Sequence, residues 1–252
     1  MLLSEDAFAL SLLFHLNSEP WNNTKAYAMP QAHEQFKTIA SSEPAVALPE
    51  PPSSPLMELI AARQSCRNFI PGTILLHQLA AILHAGYGIT GLREWPGEFR
   101  VFRRAVPSAG GLYPLELYVV CNQVEGTKPG LHHFNVRDRA LEYMSGPFSI
   151  ADLLPRLMQQ PFIEHAAAFI FIAAVLPRTL KKYGPRGYRY LLMEAGHAAQ
   201  NICLRATELD LATLCLGGFS DHQINSLLEL DGRKEVALYT IAIGHGLTDH
   251  PS

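Results

Sequence analysis

The fold is decided by the stretch from Lys181 to Leu211, which reads KKYGPRGYRYLLMEAGHAAQNICLRATELDL. Its first residues predict a short loop, and the remainder predicts one long helix. Apolar side chains recur at three- and four-residue steps, which is the spacing of one helix face. They are Leu191, Ala195, Ala199, Ile202, Ala206 and Leu209. A stripe of polar side chains runs beside them at the same spacing, and it comprises Tyr190, Glu194, His197, Asn201 and Arg205.

The two stripes leave two interpretations open. Small apolar side chains allow another backbone or a flat ligand to come close, and the polar side chains would then need partners there. Alternatively, the helix lies in the core and neighbouring backbone satisfies its polar groups. Directly before the helix, Lys182 and Tyr183 are side chains that can act as acid or base when they are desolvated.

Length and composition describe a globular chain. The protein has 252 residues, of which 48% are hydrophobic and 17% charged, and its net charge is -3. This length suffices for one large domain or two small ones. Because the sequence has no long Lys/Arg run, we expect no nucleic-acid and no membrane partner. The N-terminus lacks the positive charge of a signal peptide and the apolar runs are too short to cross a bilayer, so a cytoplasmic protein is expected.

The cysteines and histidines give no metal-site pattern. The four cysteines are Cys66, Cys121, Cys203 and Cys215. They have no CxxC spacing and apolar neighbours, so buried reduced thiols are expected. Glu194 and His197 have the spacing of half a di-iron carboxylate site. Because the sequence contains no second Glu-x-x-His, no metal is expected.

Local patterns along the rest of the chain predict helices alternating with strands. Helices are predicted for residues 6–16, 55–64, 76–86, 149–159 and 221–230, and strands for residues 115–121, 131–136, 140–144, 167–176 and 236–243. Residues 43–55 are Pro-rich and should be extended, and residues 88–104 are expected to form a loop. These elements favour an α+β fold with a mixed or antiparallel sheet. We expect residues 1–54 to form an N-terminal helix and an extended arm, and residues 55–252 to form one domain.

An arginine-serine motif, Arg63-x-Ser65-x-Arg67, follows the second predicted helix. Two arginines four residues apart with a serine between them can hold a phosphate through guanidinium hydrogen bonds and a hydroxyl. The pattern alone also fits two arginines on a solvated surface. The usual nucleotide cradles, a Walker loop or GxGxxG after a strand, do not occur in the sequence.

Two glycine-containing loops could lie against a planar ring. The first is Pro107–Gly111 (PSAGG), which offers a hydroxyl and free backbone amides, and the second is Leu216–Phe219 (LGGF). Glycine allows the backbone to approach a ligand closely. Each loop could equally be a plain turn into the next element. Together with the arginine motif, the loops suggest a phosphate anchor and a site for a flat ring.

The ordered set of motifs resembles the flavin-dependent nitroreductase superfamily, and within it the SagB-type/McbC-like dehydrogenases, the azoline oxidases. The matching segments occur in family order between residues 55 and 244. They are Arg63-x-Ser-x-Arg67, Pro107–Pro114 (PSAGGLYP), Lys182-Tyr183-Gly184, Tyr188-Arg189-Tyr190, Glu194–Asn201 (EAGHAAQN), Gly218-Phe219, and Leu238-Tyr239 before Gly244. The first motif alone is weak, whereas the ordered set is specific.

The resemblance implies a nitroreductase-like α+β fold that binds FMN in residues 55–252. It implies an intertwined homodimer with the flavin sites at the subunit interface. Arg63, Ser65 and Arg67 would hold the flavin phosphate and ribityl. The glycine loops would border the isoalloxazine through Pro107, Ser108, Ala109, Gly110, Gly111, Gly217 and Gly218. The family pattern also assigns Gln200 and Asn201 to the cofactor site.

The resemblance also implies a reaction. Azoline oxidases use a catalytic Lys-Tyr pair, which corresponds here to Lys182 and Tyr183. The reaction is two-electron oxidation of a thiazoline or oxazoline, in a peptide or a small molecule that is carrier- or complex-bound, to the aromatic azole. FMN accepts the hydride and oxygen reoxidises it. The alternatives are an NAD(P)H-dependent nitro or quinone reductase on the same fold, and a flavin-free scaffold subunit of a biosynthetic complex.

The sequence departs from the family pattern in two respects. Nitroreductases usually place a basic residue after the last strand to help hold the phosphate, whereas the tail after Gly244 contains only His245 and His250 as basic candidates. This predicts phosphate binding that is weaker or differently built. The chain is also short for this branch, which predicts that extra segments for recognising a leader peptide or partner are missing.

Overall fold

The computed structural model describes residues 5–18, 36–37, 39, 43–95 and 99–247. The helices are α1 (Glu5–Asn17), α2 (Pro55–Ala62), α3 (Leu76–Tyr87), α4 (Ile150–Leu153), α5 (Leu176–Tyr183), α6 (Arg186–Glu208) and α7 (Asp221–Leu227). The strands are β1 (Phe69–Ile70), β2 (Ile74–Leu75), β3 (Ile89–Trp95), β4 (Phe99–Arg104), β5 (Leu115–Cys121), β6 (Val124–Glu125), β7 (Gly130–Asn135), β8 (Ala140–Ser145), β9 (Ala168–Val175), β10 (Ala212–Leu216) and β11 (Glu235–Gly246).

A seven-stranded antiparallel sheet forms the centre of the protein. Its order is β1-β11-β9-β5-β7-β8, and β10 pairs with β11. The central strand β9 is buried on both faces because its side chains alternate between two hydrophobic clusters. Ile170 and Ile172 pack with the cluster that contains α3 and α6, whereas Phe169 and Phe171 pack with the cluster that contains α7. The sheet is therefore covered by helices on both faces, and the predicted α+β class is confirmed.

The long helix α6 buries the face that its sequence predicts. Leu191, Ala195, Ala199, Ile202 and Ala206 are all at most 3% exposed. A Cβ at Gly86 of α3 would lie 2.6 Å from Ile202 Cγ1, so the two helices approach closely at this glycine. The small side chains of α6 thus serve the packing of α3 and of the sheet.

Most of the predicted elements are confirmed, namely α1, α2, α3, α7, β5, β7, β8, β9 and β11. Residues 43–54 have no regular secondary structure. Helix α1 contacts α6 of its own chain, where His15 Nδ1 lies 2.7 Å from the Tyr188 hydroxyl. The remaining predictions for residues 1–42 fall largely outside the described residues, and the division of the chain at residue 54 stays a prediction.

Three expectations about local structure are wrong. A loop was expected over residues 88–104, but residues 89–95 and 99–104 form the paired antiparallel strands β3 and β4. The helix after Ser149 has the expected cap, with a capping box to Asp152, but it ends at Leu153. Turns follow it, and Met158 and Gln159 then take φ angles of 55° and 50°, outside the right-handed helical region. Apart from these corrections, the sequence patterns did not predict the strands β1, β2, β6 and β10.

The third correction concerns the segment before α6. Lys182 and Tyr183 occupy the last turn of helix α5 rather than a loop. Gly184 then takes φ 56° and ψ -148°, which interrupts the helical path between α5 and α6. The Lys-Tyr pair is therefore held on a helix end.

Within the described ranges, no helix has the length and apolar character needed to cross a membrane.

Candidate active site

The loop between β4 and β5 lies directly against Lys182 and Tyr183. Gly110 has φ 65° and ψ 15°, a left-handed conformation that favours glycine. A Cβ at Gly110 would lie 2.6 Å from Lys182 Nζ and 2.6 Å from the Tyr183 hydroxyl oxygen. The polar ends of the two predicted catalytic side chains thus converge on the predicted ring-binding loop, and a larger residue at this position would have to displace them.

Neighbouring aromatic side chains orient the Lys-Tyr pair. The Tyr183 ring packs edge-on against Tyr190, with centroids 5.1 Å apart and an interplanar angle of 89°. Lys182 Nζ lies 5.2 Å from the centroid of the Tyr183 ring. Lys182 is exposed and Tyr183 half-buried, so a ligand can reach both groups. An amine and a phenol at one accessible point can exchange protons with a bound ligand.

A buried hydrogen-bond network fixes the glycine loop on α6. Glu194 is 3% exposed and accepts hydrogen bonds from the Tyr87 hydroxyl, at 2.7 Å, and from the Ser108 hydroxyl. Ser108 Oγ in turn accepts from the Tyr113 backbone N–H at 2.9 Å. The Tyr87 hydroxyl oxygen accepts from the Leu115 N–H at 3.1 Å. One carboxylate therefore positions the segment that leads from the loop into β5.

Burial raises the pKa of the Glu194 carboxyl above its usual range. The hydrogen bonds from Ser108 and Tyr87 and the positive charge of Arg104 oppose this effect without cancelling it. Burial and the neighbouring Glu194 also raise the pKa of the Tyr87 phenol, which stays protonated and keeps donating. The network thus places a buried carboxyl group with a raised pKa beneath the loop.

Arg104 is a residue at this site that the sequence reasoning missed. Its guanidinium carbon lies 4.5 Å from the Tyr87 ring centroid and 5.2 Å from the Tyr113 ring centroid. Among the described residues, its buried Nη1 atom has no hydrogen-bond partner. Arg104 also lines a cleft of about 310 Å³ beside the loop, together with Arg100 and Arg178. Its place three residues before the PSAGG motif is the only signal in the sequence.

Some side chains of the polar stripe on α6 lie in the core, and others lie at the surface. The Asn201 amide donates to the backbone carbonyls of Ala85 and Ala105, at 3.1 and 3.3 Å, which ties α3 and the end of β4 to α6. Gln200 and His197 are exposed. Asn201 thus follows the interpretation in which neighbouring backbone satisfies the polar groups, while Glu194 supports the glycine loop.

The arginine-serine motif lies beside the start of β10. Ser65 forms a parallel bridge with Thr213, and the Cys66 N–H donates to the Thr213 carbonyl at 2.9 Å. In the described part of the chain, neither Arg63 nor Arg67 takes part in an ion pair. Two uncompensated guanidinium groups and a serine hydroxyl suit the charge and hydrogen-bonding needs of a phosphate. In charge and in hydrogen-bonding type, these three residues therefore suit the phosphate end of FMN.

The second glycine loop continues the same strand. Gly217 follows Thr213 by four residues, which corresponds to about 13 Å along an extended strand. Gly217 is exposed, and a Cβ there would meet no described heavy atom within 4 Å. The Gly218 carbonyl accepts from Gln160 Nε2 at 3.2 Å. The open backbone of Gly217 leaves space for a flat ring at the far end of the strand.

His245 does not lie free at the end of the last strand. Its Nε2 lies 3.1 Å from the Thr73 carbonyl oxygen, to which it can donate. His250 lies outside the described residues. Within residues 5–247, as far as they are described, no cluster of three or more potential metal ligands occurs.

Comparison with known proteins identifies the class of this chain. A model of the nitroreductase family matches residues 60–245. The chain therefore belongs to the nitroreductase family, and the predicted family is confirmed.

Particular relatives point to a branch of that family. The provisionally named nitroreductase MJ1384 of Methanocaldococcus jannaschii is 34% identical over 79% of this chain and 95% of its own. The trifolitoxin-processing protein TfxB of Rhizobium leguminosarum bv. trifolii is 31% identical, and the microcin B17-processing protein McbC of Escherichia coli is 29% identical. They are matched over 56% and 52% of this chain but only 39% and 50% of their own lengths. These matches agree with the predicted SagB-type/McbC-like branch.

A solved structure confirms the fold over nearly the whole chain. The Escherichia coli microcin synthetase McbBCD complex, with truncated pro-MccB17 bound, contains a chain that superposes with a TM-score of 0.75. The match covers 96% of this chain and 94% of that one at 21% identity. At this identity the likeness establishes the fold alone.

Proposed function

We propose that this protein is an FMN-dependent dehydrogenase or oxidase that converts a thiazoline, an oxazoline or a related heterocycle to the aromatic azole in natural-product or peptide biosynthesis. The observation that carries the proposal is the convergence of Lys182 Nζ and the Tyr183 hydroxyl on Gly110. An acid-base pair lies at the loop that the family resemblance assigns to the flavin ring. The family membership and the matches to a trifolitoxin-processing and a microcin B17-processing protein support the same assignment.

The residues of this chain divide the binding of FMN between two ends. Arg63, Ser65 and Arg67 would hold the phosphate, and the glycine backbones at Gly110 and Gly217 would accept the flat ring. When bound, FMN would take up two electrons as a hydride. The protein would hold the heterocycle against that ring and exclude water from it.

Lys182 is the candidate base. Aromatisation of an azoline removes a hydride and a proton from adjacent ring carbons, so a group must take up the proton. Lys182 Nζ is placed for this role, while the Tyr183 hydroxyl can donate a hydrogen bond to the substrate. The edge-on contact with Tyr190 holds the Tyr183 ring in position.

The complete site would need two copies of the chain. Tyr183 contacts Tyr190 at one end of α6, whereas the charge of Arg63 acts on Cys203 near the other end. Residues 190 and 203 are separated by about 20 Å along the helix axis. A flavin held by both groups of one chain would have to bridge this separation. We therefore assign the phosphate anchor of each site to one subunit and the Lys-Tyr pair to its partner.

The proposal is tested with FMN-loaded protein and a synthetic azoline peptide. The first measurement is the absorbance spectrum after incubation with FMN and gel filtration, where retained flavin bands are expected. Lys182→Ala should then keep its flavin but lose turnover by about 100- to 10,000-fold, because a positioned base is removed. Lys181→Ala, the neighbouring exposed lysine, is the matched control and should turn over normally. Unchanged turnover in Lys182→Ala would remove this lysine from the mechanism.

The match to MJ1384 over 95% of that protein favours a second candidate, an NAD(P)H-dependent nitro or quinone reductase. Anaerobic addition of NADH or NADPH distinguishes the two. Rapid bleaching of the bound flavin would support the reductase, whereas bleaching by azoline peptide alone would support the dehydrogenase. Protein that stays colourless after FMN incubation would contradict both and would leave the scaffold role.

A further inference from the structure

Two cysteine side chains meet between α6 and β10, away from the Lys-Tyr pair. The Sγ atoms of Cys203 and Cys215 lie 3.6 Å apart. Cys203 is buried and Cys215 is partly exposed. They come from different elements that pack against each other, so a small shift of either element changes the distance between the sulfur atoms.

The surroundings of this pair favour ionisation of one sulfur. The hydrogen bond from the Cys203 thiol lowers the pKa of Cys215, and the Tyr239 hydroxyl and the positive charge of Arg63 act in the same direction. The hydrogen bond to Cys215 and burial raise the pKa of Cys203. Thiolates, rather than thiols, react with oxidants. Cys215 is therefore the reactive member, and it is also the one that solvent reaches.

We propose that Cys203 and Cys215 form an oxidisable dithiol that hydrogen peroxide converts to a disulfide. The Cys215 thiolate attacks one peroxide oxygen, the O–O bond breaks, and the departing hydroxide takes a proton to become water. The resulting sulfenic acid of Cys215 is then attacked by the Cys203 sulfur. The S–S bond forms, the S–O bond breaks, and a second water leaves with the Cys203 proton. Two thiols and one peroxide thus give one disulfide and two waters.

The geometry needs little change for this reaction. A disulfide bond is about 2.05 Å long, so the two sulfur atoms must approach by about 1.5 Å. The bond would fasten α6 to the strand that bridges Ser65 and leads to Gly217. Under the proposed oxidase function, reoxidation of flavin by oxygen would supply peroxide at this same protein, but the dithiol chemistry does not depend on that function.

Peptide mapping tests the proposal directly on the full-length wild-type protein. The reduced protein is treated with one equivalent of hydrogen peroxide, unreacted thiols are alkylated, and the sample is digested with trypsin. Cleavage after Arg205 separates the cysteines, because they lie in the peptides 190–205 and 206–233. We expect these two peptides to be joined by a disulfide, with Cys66 and Cys121 alkylated. Cys121 is the internal negative control, since burial raises the pKa of its thiol to about 12.

Variants identify the order of events. In Cys203→Ser, dimedone should trap a sulfenic acid at Cys215, because the thiol that would convert it to a disulfide is absent. In Cys215→Ser, Cys203 should remain reduced. Alkylated Cys203 and Cys215 in the wild type, under conditions that oxidise Cys66, would overturn the proposal. The peptide map of the wild-type protein requires neither a variant nor bound flavin. It therefore decides the question even if a variant fails to fold or FMN fails to bind.

Discussion

Tyr87→Phe should destabilise the protein by about 3 kcal/mol. Tyr87 is fully buried, and its hydroxyl both donates to Glu194 at 2.7 Å and accepts from the Leu115 N–H at 3.1 Å. The substitution removes a hydrogen bond to a carboxyl group, worth about 1.5–3 kcal/mol, and leaves a buried N–H without a partner at about 1–3 kcal/mol. The net loss falls in the lower half of the sum, because Glu194 keeps its bond to Ser108.

Urea unfolding followed by circular dichroism measures this effect. For a chain of this size, about 3 kcal/mol corresponds to a lowering of Tm by about 6–12 °C. Tyr143→Phe is the matched control, because Tyr143 is 39% exposed and its hydroxyl donates to the Gly146 carbonyl at the surface. This control should stay within about 0.5 kcal/mol of wild type. All samples need the same protein concentration, since subunit association shifts apparent stability.

Two results would refute the reasoning. A loss below about 0.5 kcal/mol in Tyr87→Phe would mean that the network contributes no net stability. An equal loss in Tyr143→Phe would mean that the effect belongs to removal of any tyrosine hydroxyl. A change in the slope of the unfolding free energy with urea would indicate that the unfolded or native state itself has changed.

Two further predictions concern the same loop. Because the pKa of Glu194 is raised in the folded state, its stabilising effect is present below the ordinary carboxyl pKa and is lost as pH rises through the raised value. Wild type should therefore lose stability relative to Glu194→Gln over that pH window, and parallel urea profiles for the two proteins would contradict the shift. Gly110→Ala should abolish most turnover, since its Cβ would displace Lys182 and Tyr183. Gly111 has the same φ of 65°, but a Cβ there meets only Val101 Cγ1 at 3.6 Å. Gly111→Ala is therefore the control for backbone strain without displacement of the Lys-Tyr pair. Equal turnover loss in both variants would exclude displacement of the pair as the cause.

Sequence periodicity predicts those elements in which the buried side chains recur at the regular spacing of a helix or form the continuous apolar run of a buried strand. The apolar stripe of α6 and the continuous apolar run of β9 are read directly from their spacing. The hairpin of β3 and β4 was missed because residues 88–104 mix glycine, arginine and aromatic side chains without regular alternation. The left-handed turn at Met158 and Gln159 was missed because positive φ at non-glycine residues depends on tertiary surroundings, here near the Gln160 bond to Gly218.

The candidate site was likewise predicted from the sequence only in part. The ordered motifs predict the Lys-Tyr pair and the glycine loops, and the structure brings Lys182, Tyr183 and Gly110 together. The support beneath them joins Tyr87 to Glu194 across 107 positions of sequence, a contact that spacing within one helix does not reveal. The pairing of Cys203 with Cys215 follows no motif either, so their meeting depends on how α6 packs on β10.

The proposed placement of a phosphate anchor and the Lys-Tyr pair at opposite ends of α6 has a genetic consequence. Under the proposed two-chain site, a copy defective at Arg67 and a copy defective at Lys182 complement each other. A mixed dimer contains one site that carries both defects and one that carries neither. Random assortment makes half of the dimers mixed, so a cell that expresses both defective alleles equally would recover about a quarter of wild-type activity.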